Sequence, residues 1–148
     1  MGISIRNHEG YLDPTTYEAL TNVERERYEK AHPLAVRQFR PVVYICSPYV
    51  GDVPGNTERA RKYSRFAIEQ GCIPITPHLL YPQFLDETQK DERELGLFIG
   101  LVLVSKCAEL WVFGSRVSSG MAQEIAKAES KGMPTRYFTE DMEEVCHG

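Results

Sequence analysis

Seven consecutive residues, Ser118-Ser119-Gly120-Met121-Ala122-Gln123-Glu124, carry hydroxyls, a glycine and a carboxylate directly behind the apolar run Glu109-Leu110-Trp111-Val112-Phe113. A strand, a short turn and a helix are written there one after another. Such a turn presents free backbone N–H groups at the helix start, where they and the helix dipole hold an anion. Gly120 lets backbone come close to a ligand, and the two serines add hydroxyls. Serine is also a favoured N-cap without any ligand. Glu124 does not fit a capping box, because the residues three beyond Ser118 and Ser119 are Met121 and Ala122. Met121, Ile125 and Ala128 mark the buried stripe, and Glu124 lies at its flank, about 60° from Met121. The plain alternative is a solvated carboxylate paired with Lys127 or Lys131. An anion cradle beside a carboxylate at the end of a parallel strand points to chemistry on a sugar phosphate or a nucleotide.

Other candidates cluster in two loops. In Ser47-Pro48-Tyr49-Val50-Gly51-Asp52, Tyr49, or Tyr44 just before it, is placed to stack on a base. Asn56 is placed to hydrogen-bond a ligand, although a helix cap accounts for it as well. His78, after Thr76-Pro77, titrates near neutrality unless its surroundings change that. The acidic group Asp91-Glu92-Arg93-Glu94 opens a helix, where the dipole favours negative charge.

These residues need a scaffold, and the pattern from Pro41 onward supplies one. Apolar runs at 42–46, 72–76, 109–113 and 135–138 read as strands, the first buried on both faces. Segments 57–70, 90–106 and 120–131 read as helices, the first capped by Asn56 and two of them stopped by Gly71 and Gly132. Pro74 marks the second strand as an edge or a strand start. Strands alternating with helices give right-handed βαβ units and a parallel sheet. Ligands bind such sheets beyond the carboxyl ends of the strands, where the loops 47–55, 77–88 and 114–120 lie. The expected fold is α/β, a flavodoxin- or Rossmann-like three-layer sandwich with a small parallel sheet of four to five strands. Residues 1–40, polar and charged, are expected as a short helical extension, with a helix start at Asp13-Pro14 and a charge-rich segment from Val23 to Lys30. Residues 41–148 form the α/β domain, and the tail after Thr139 is expected to add a helical turn.

Composition narrows the function classes. At 148 residues, 42% hydrophobic and 26% charged, the chain is an ordinary globular domain. A net charge of −4 argues against a nucleic-acid polymer as partner. No run approaches the ~18 apolar residues of a membrane span. The start Met1-Gly2-Ile3-Ser4-Ile5-Arg6 lacks a signal-peptide layout and does not complete a myristoylation pattern. Cys46, Cys72, Cys107 and Cys146 lie far apart, with no zinc-type spacing, so a reduced cytoplasmic protein without a bound metal is expected. Neither a G-x-G-x-x-G nor a Walker pattern occurs, which disfavours standard dinucleotide and P-loop sites.

Taken in order, Tyr44-Ile45-Cys46-Ser47-Pro48-Tyr49, Asn56, Gly71-x-x-Pro74-x-x-Pro77-His78, Ala108-Glu109-Leu110-Trp111-Val112 and Ser118-x-Gly120-x-x-x-Glu124 resemble the nucleoside 2-deoxyribosyltransferase-like superfamily. The small bacterial and phage branch, near the nucleoside 5′-monophosphate N-glycosidases, is the most similar. The resemblance covers residues 41–138. It implies a flavodoxin-like sheet, assembly into homo-oligomers with sites near an interface, and no cofactor. It also implies that Glu124 attacks the anomeric carbon of the sugar. In that superfamily the residue six before the nucleophile is Asp where a free sugar hydroxyl is held and Ser where a phosphate is held; here it is Ser118.

The expected activity is therefore cleavage of an N-glycosidic bond in a nucleoside 5′-monophosphate, by hydrolysis or by base transfer, with retention through Glu124. Ser118, Ser119 and the Gly120 N–H would hold the phosphate, Ser47 and Asn56 the sugar, Tyr44 or Tyr49 the base, with His78 lining the pocket. One departure motivates a second expectation. Those enzymes carry an Asp in the helix before the third strand, and the matching place here falls near Leu101, with no carboxylate. A non-catalytic nucleotide-binding module, with Glu124 accepting from a ribose hydroxyl, is the alternative.

Overall fold

A computed structural model describes residues 19–35 and 38–146. The chain divides into two compact units, Met1–Gln38 and Phe39–Gly148. In the first, Asn22–Ala31 forms helix α1, which takes in the charge-rich segment. Thr21 and Glu24 close a capping box: the Thr21 hydroxyl accepts from the Glu24 N–H, and the Glu24 carboxylate accepts from the Thr21 N–H at 2.8 Å. The Asp13-Pro14 helix start lies outside the described residues.

The second unit is an α/β fold. Strands β1 (Val42–Cys46), β2 (Ile73–Ile75), β3 (Glu109–Phe113), β4 (Thr135–Phe138) and β5 (Glu144–Val145) form one sheet in the order β2-β1-β3-β4-β5. The first four are parallel, and β5 runs antiparallel to β4. Helices α2 (Val53–Glu69), α3 (Lys90–Val104) and α4 (Ser119–Ser130) connect them. The period of two along each strand divides the core. Val43, Ile45, Trp111 and Phe113 join Tyr63 and Ala67 of α2 on one face. Tyr44, Cys46, Leu110 and Val112 join Val104 of α3 and Met121 and Ala128 of α4 on the other. Each large side chain buried this way contributes about 2 kcal/mol.

Two local expectations are corrected. Helix α2 starts at Val53, capped by Asp52, whose side chain accepts from the Gly55 N–H. Pro54 fits the first turn, where no N–H is needed, so the helix takes in Asn56 rather than beginning after it. The tail turns back as β5 instead of adding a helical turn. There the Thr139 N–H donates to Glu143 O at 2.8 Å, and its hydroxyl accepts from the Asp141 and Glu143 N–H groups. Met142, with φ of 64°, completes the reversal. The sheet edge at β2 is as Pro74 suggested: short, with the Ile73 N–H donating to Pro41 O. Among the described residues no helix is long and apolar enough to cross a membrane.

Candidate active site

The strand order reverses direction between β1 and β3: one connection leads to α2 on one face, the other to α4 on the opposite face. That switch point is where an open α/β sheet binds ligands. At its α4 side, Ser118 is the N-cap, its hydroxyl accepting from the Met121 N–H at 3.2 Å and its carbonyl from the Ala122 N–H at 2.9 Å. The N–H groups of Ser119 and Gly120 have no acceptor among the described residues. A Cβ on Gly120 would meet no atom within 4 Å, so the space before it is open.

Glu124 stands in the second turn of α4, facing Tyr44 and Cys46, which alternation turns to the same side of β1. Burial raises its pKa to about 7, against the opposing effect of hydrogen bonds from the Cys46 thiol and the Tyr44 hydroxyl. Those two groups are held protonated by burial and by the neighbouring carboxylate. Glu124 makes no ion pair among the described residues, so the solvated pairing with Lys127 or Lys131 does not describe it. A carboxylate on the threshold of ionisation at neutral pH serves as a nucleophile, a proton carrier or a hydrogen-bond acceptor.

Tyr44 is 2% exposed, with its ring in the core and its hydroxyl turned to Glu124. Ser47 is buried at the end of β1, its Oγ 3.1 Å from His78 Nε2. The half-buried Tyr49 ring lies 5.9 Å from the His78 ring. Burial lowers the His78 pKa to about 4, so the imidazole is neutral at physiological pH. These three residues form one cluster at the carboxyl end of β1. Asn56 is different: its amide donates to Tyr49 O at 3.0 Å and Val50 O at 3.3 Å, while its Oδ1 accepts from Arg59 at 2.7 Å. Every polar atom of this buried side chain is engaged in shaping the loop.

Ser118 and Asn56 line a cavity of about 590 Å³ on the α2 side, whereas Tyr44, Ser47, Tyr49, His78 and Glu124 do not. Two residues, one beside the carboxylate and one beside the Tyr44 hydroxyl, escaped the sequence reading. Cys46 could have been found from strand alternation with Tyr44. Gly100 of α3 is the other: a Cβ there would come within 3.1 Å of the Tyr44 hydroxyl, and its only sequence signal is a glycine inside an apolar helix.

The architecture is that of the 2-deoxyribosyltransferase fold. Its likeness to a 2-deoxyribosyltransferase from the psychrotolerant bacterium Bacillus psychrosaccharolyticus has a TM-score of 0.57 at 15% identity, over 72% of this chain and 77% of that one. A 2-desoxiribosyltransferase from Leishmania mexicana aligns at a TM-score of 0.48 and 15% identity, over 67% of this chain and 64% of that one. No curated protein matches the sequence. The chain belongs to the family described as a domain of unknown function, DUF7768, which matches residues 41–138.

Proposed function

We propose that the protein cleaves the N-glycosidic bond of a nucleoside 5′-monophosphate, with Glu124 as the nucleophile. The observation that carries this reading is the half-buried carboxylate beside Tyr44 and Cys46, with its pKa raised to about 7. Ionised, it attacks C1′ through an oxocarbenium-like transition state; the base leaves with the C1′–N electron pair and takes up a proton. Water then adds to C1′, releasing the sugar phosphate and the carboxylate. Transfer to a second base is the same chemistry with a different acceptor. The free N–H groups of Ser119 and Gly120, the Ser118 hydroxyl and the exposed Arg116 hold the phosphate. Ser47 and the neutral His78 orient the sugar and line the pocket, Tyr49 packs the base, and Asn56 fixes the loop that carries Tyr49. The reading needs no metal or organic cofactor and no nucleic-acid polymer.

Self-association belongs to the same reading. Leu95, Phe98 and Val102, spaced i, i+3, i+7 along α3, are exposed, with Phe98 at 63%. A second copy of the chain covers that stripe in the proposed homo-oligomer.

The test incubates the protein with ribo- and deoxyribonucleoside 5′-monophosphates and their nucleosides, following free base by chromatography. Base is released from a monophosphate by wild type and not by Glu124→Gln. Release from nucleosides alone overturns the phosphate assignment, and release by the variant overturns the nucleophile.

One observation favours a second reading. Position 101 of α3 is leucine, and Asp91 and Glu94 lie two to three turns earlier, so no carboxylate of α3 stands where departure of the base is assisted in the similar enzymes. In a binding-only module Glu124→Gln retains nucleotide binding, and no wild-type turnover occurs.

A further inference from the structure

Helix α3 carries two glycines one turn apart, Gly96 and Gly100, in its apolar stretch. Glycine weakens a helix interior, so the pair asks for a reason in what it faces. Four residues apart, the two lie on one face, about 6 Å apart along the axis. Gly100 has its reason in the Tyr44 hydroxyl, which meets Glu124. Gly96 looks onto a second carboxylate. A Cβ there would meet Leu85 Cδ1 at 3.8 Å and Glu87 Oε1 at 3.9 Å. Those are ordinary contacts, so this glycine relieves no clash; it leaves a shallow hollow beside Glu87.

Glu87 belongs to the loop between β2 and α3 and is half-buried. The loop around it is pinned. The Asp86 N–H donates to Glu92 at 3.3 Å, and the Thr88 N–H and hydroxyl donate to Asp86 Oδ1 at 2.9 and 2.6 Å. Both flanking carboxylates are thereby engaged, whereas Glu87 makes no hydrogen bond or ion pair among the described residues. Its charge does reach Tyr49, whose pKa is raised first by burial and then by Glu87. The Tyr49 ring lies against His78, and His78 meets Ser47, the neighbour of Cys46 in the chain. One row of side chains therefore leads from Glu87 to the surroundings of Glu124.

That position limits what Glu87 can recognise. An ionised carboxylate only accepts hydrogen bonds. On a nucleobase it pairs with an exocyclic amino group, as carboxylate side chains do with cytosine N4. A ring carbonyl in the same place brings lone pair against lone pair. It leaves the carboxylate desolvated without a donor, which costs binding.

We propose that Glu87 reads the base: the substrate is a nucleotide whose base carries an exocyclic amino group, which donates to Glu87 while the ring packs on Tyr49. This rests on the nucleotide site assigned above to Glu124 and Tyr49. Glu87 is a specificity residue there and takes no part in breaking the bond.

Calorimetric titrations of Glu124→Gln, with and without Glu87→Gln, test this with adenosine, inosine, cytidine and uridine 5′-monophosphates. The Glu124 substitution keeps the probes intact, and Glu87→Gln loses no hydrogen bond within the protein. In the pair that binds the tighter, the amino nucleotide binds about tenfold better than its oxo counterpart, the effect of one hydrogen bond to a charged group. With Glu87→Gln, whose amide turns to offer a donor or an acceptor, the two bind within about twofold of each other. Equal affinity before that substitution, a preference that survives it, or an equal loss on both nucleotides overturns the proposal. So does binding of none of the four. Base release by wild type decides the nucleophile separately: release without the preference sinks only the role of Glu87, and the preference without release sinks only that of Glu124.

Discussion

The Tyr44 hydroxyl and the α-carbon of Gly100 share one space: a Cβ at position 100 would stand 3.1 Å from Tyr44 Oη. The same hydroxyl is a hydrogen-bond partner of Glu124. A glycine on α3 therefore sets where a tyrosine on β1 meets a carboxylate on α4. In Gly100→Ala the hydroxyl must give way by a few tenths of an ångström. We expect the fold to be retained, because the helix gains up to about 1 kcal/mol from losing a glycine. Base release falls severalfold, as a chromatographic assay would read. Unchanged activity means that the Tyr44 contact with the carboxylate does not matter.

Tyr44→Phe removes the hydroxyl outright. Hydrogen bonds to charged groups contribute about 1.5–3 kcal/mol, so a loss of roughly 10- to 100-fold in kcat/KM is expected. With one donor to the ionised carboxylate gone, the Glu124 pKa moves further up. The acid limb of the pH–rate profile moves with it.

In wild type that limb falls near pH 7, because the nucleophile must be ionised and its pKa is about 7. His78 adds no limb of its own near its usual 6.5, since burial lowers its pKa to about 4. An inflection that moves in a His78→Asn variant would contradict this assignment.

Glu124 also leaves a mark on stability. Its pKa is raised in the folded protein, so the protonated form is favoured there. The contribution is fully present below the ordinary value of 4.5 and is lost as pH rises through about 7. Glu124→Gln carries no such loss. Its melting temperature therefore gains on that of wild type between pH 4.5 and 7 and holds the gain above. The half-open position limits the effect to at most about 3 kcal/mol. A constant difference across that range rules the shift out.

Asn56→Ala removes both donors to the carbonyls of Tyr49 and Val50. Both bonds are only part-buried and Val50 is exposed, so their loss costs about 1 kcal/mol, as chemical denaturation would measure. The loop holding Tyr49 loosens, so KM rises more than kcat falls.

What the sequence made legible follows from which signals are local. The strands at 42–46 and 109–113 are continuous apolar runs, and Ser118 is a strong cap, so the switch point could be drawn from them directly. The position of Glu124 outside a capping box set it apart from an ordinary helix-start carboxylate. Asn56 misled because a cap residue and a buried amide look alike until Asp52-Val53-Pro54 is given the helix start. The β5 hairpin escaped because Glu144 and Val145 carry too little apolar pattern, and a long-range pairing with β4 decides them. Gly100 was invisible for a similar reason, since it acquires its role from Tyr44, a neighbour distant in sequence.

Pro74 bears on how copies of this molecule can meet. With the Ile73 N–H turned inward to Pro41, alternation turns the nitrogen of residue 74 outward, and proline has no hydrogen there to give. The rim of the sheet beyond β2 thus offers an incoming strand no donor at its centre, and at three residues it is too short to template one. Growth by adding strands is closed at that side. Copies that meet at that rim have to do so through side chains rather than by continuing the sheet.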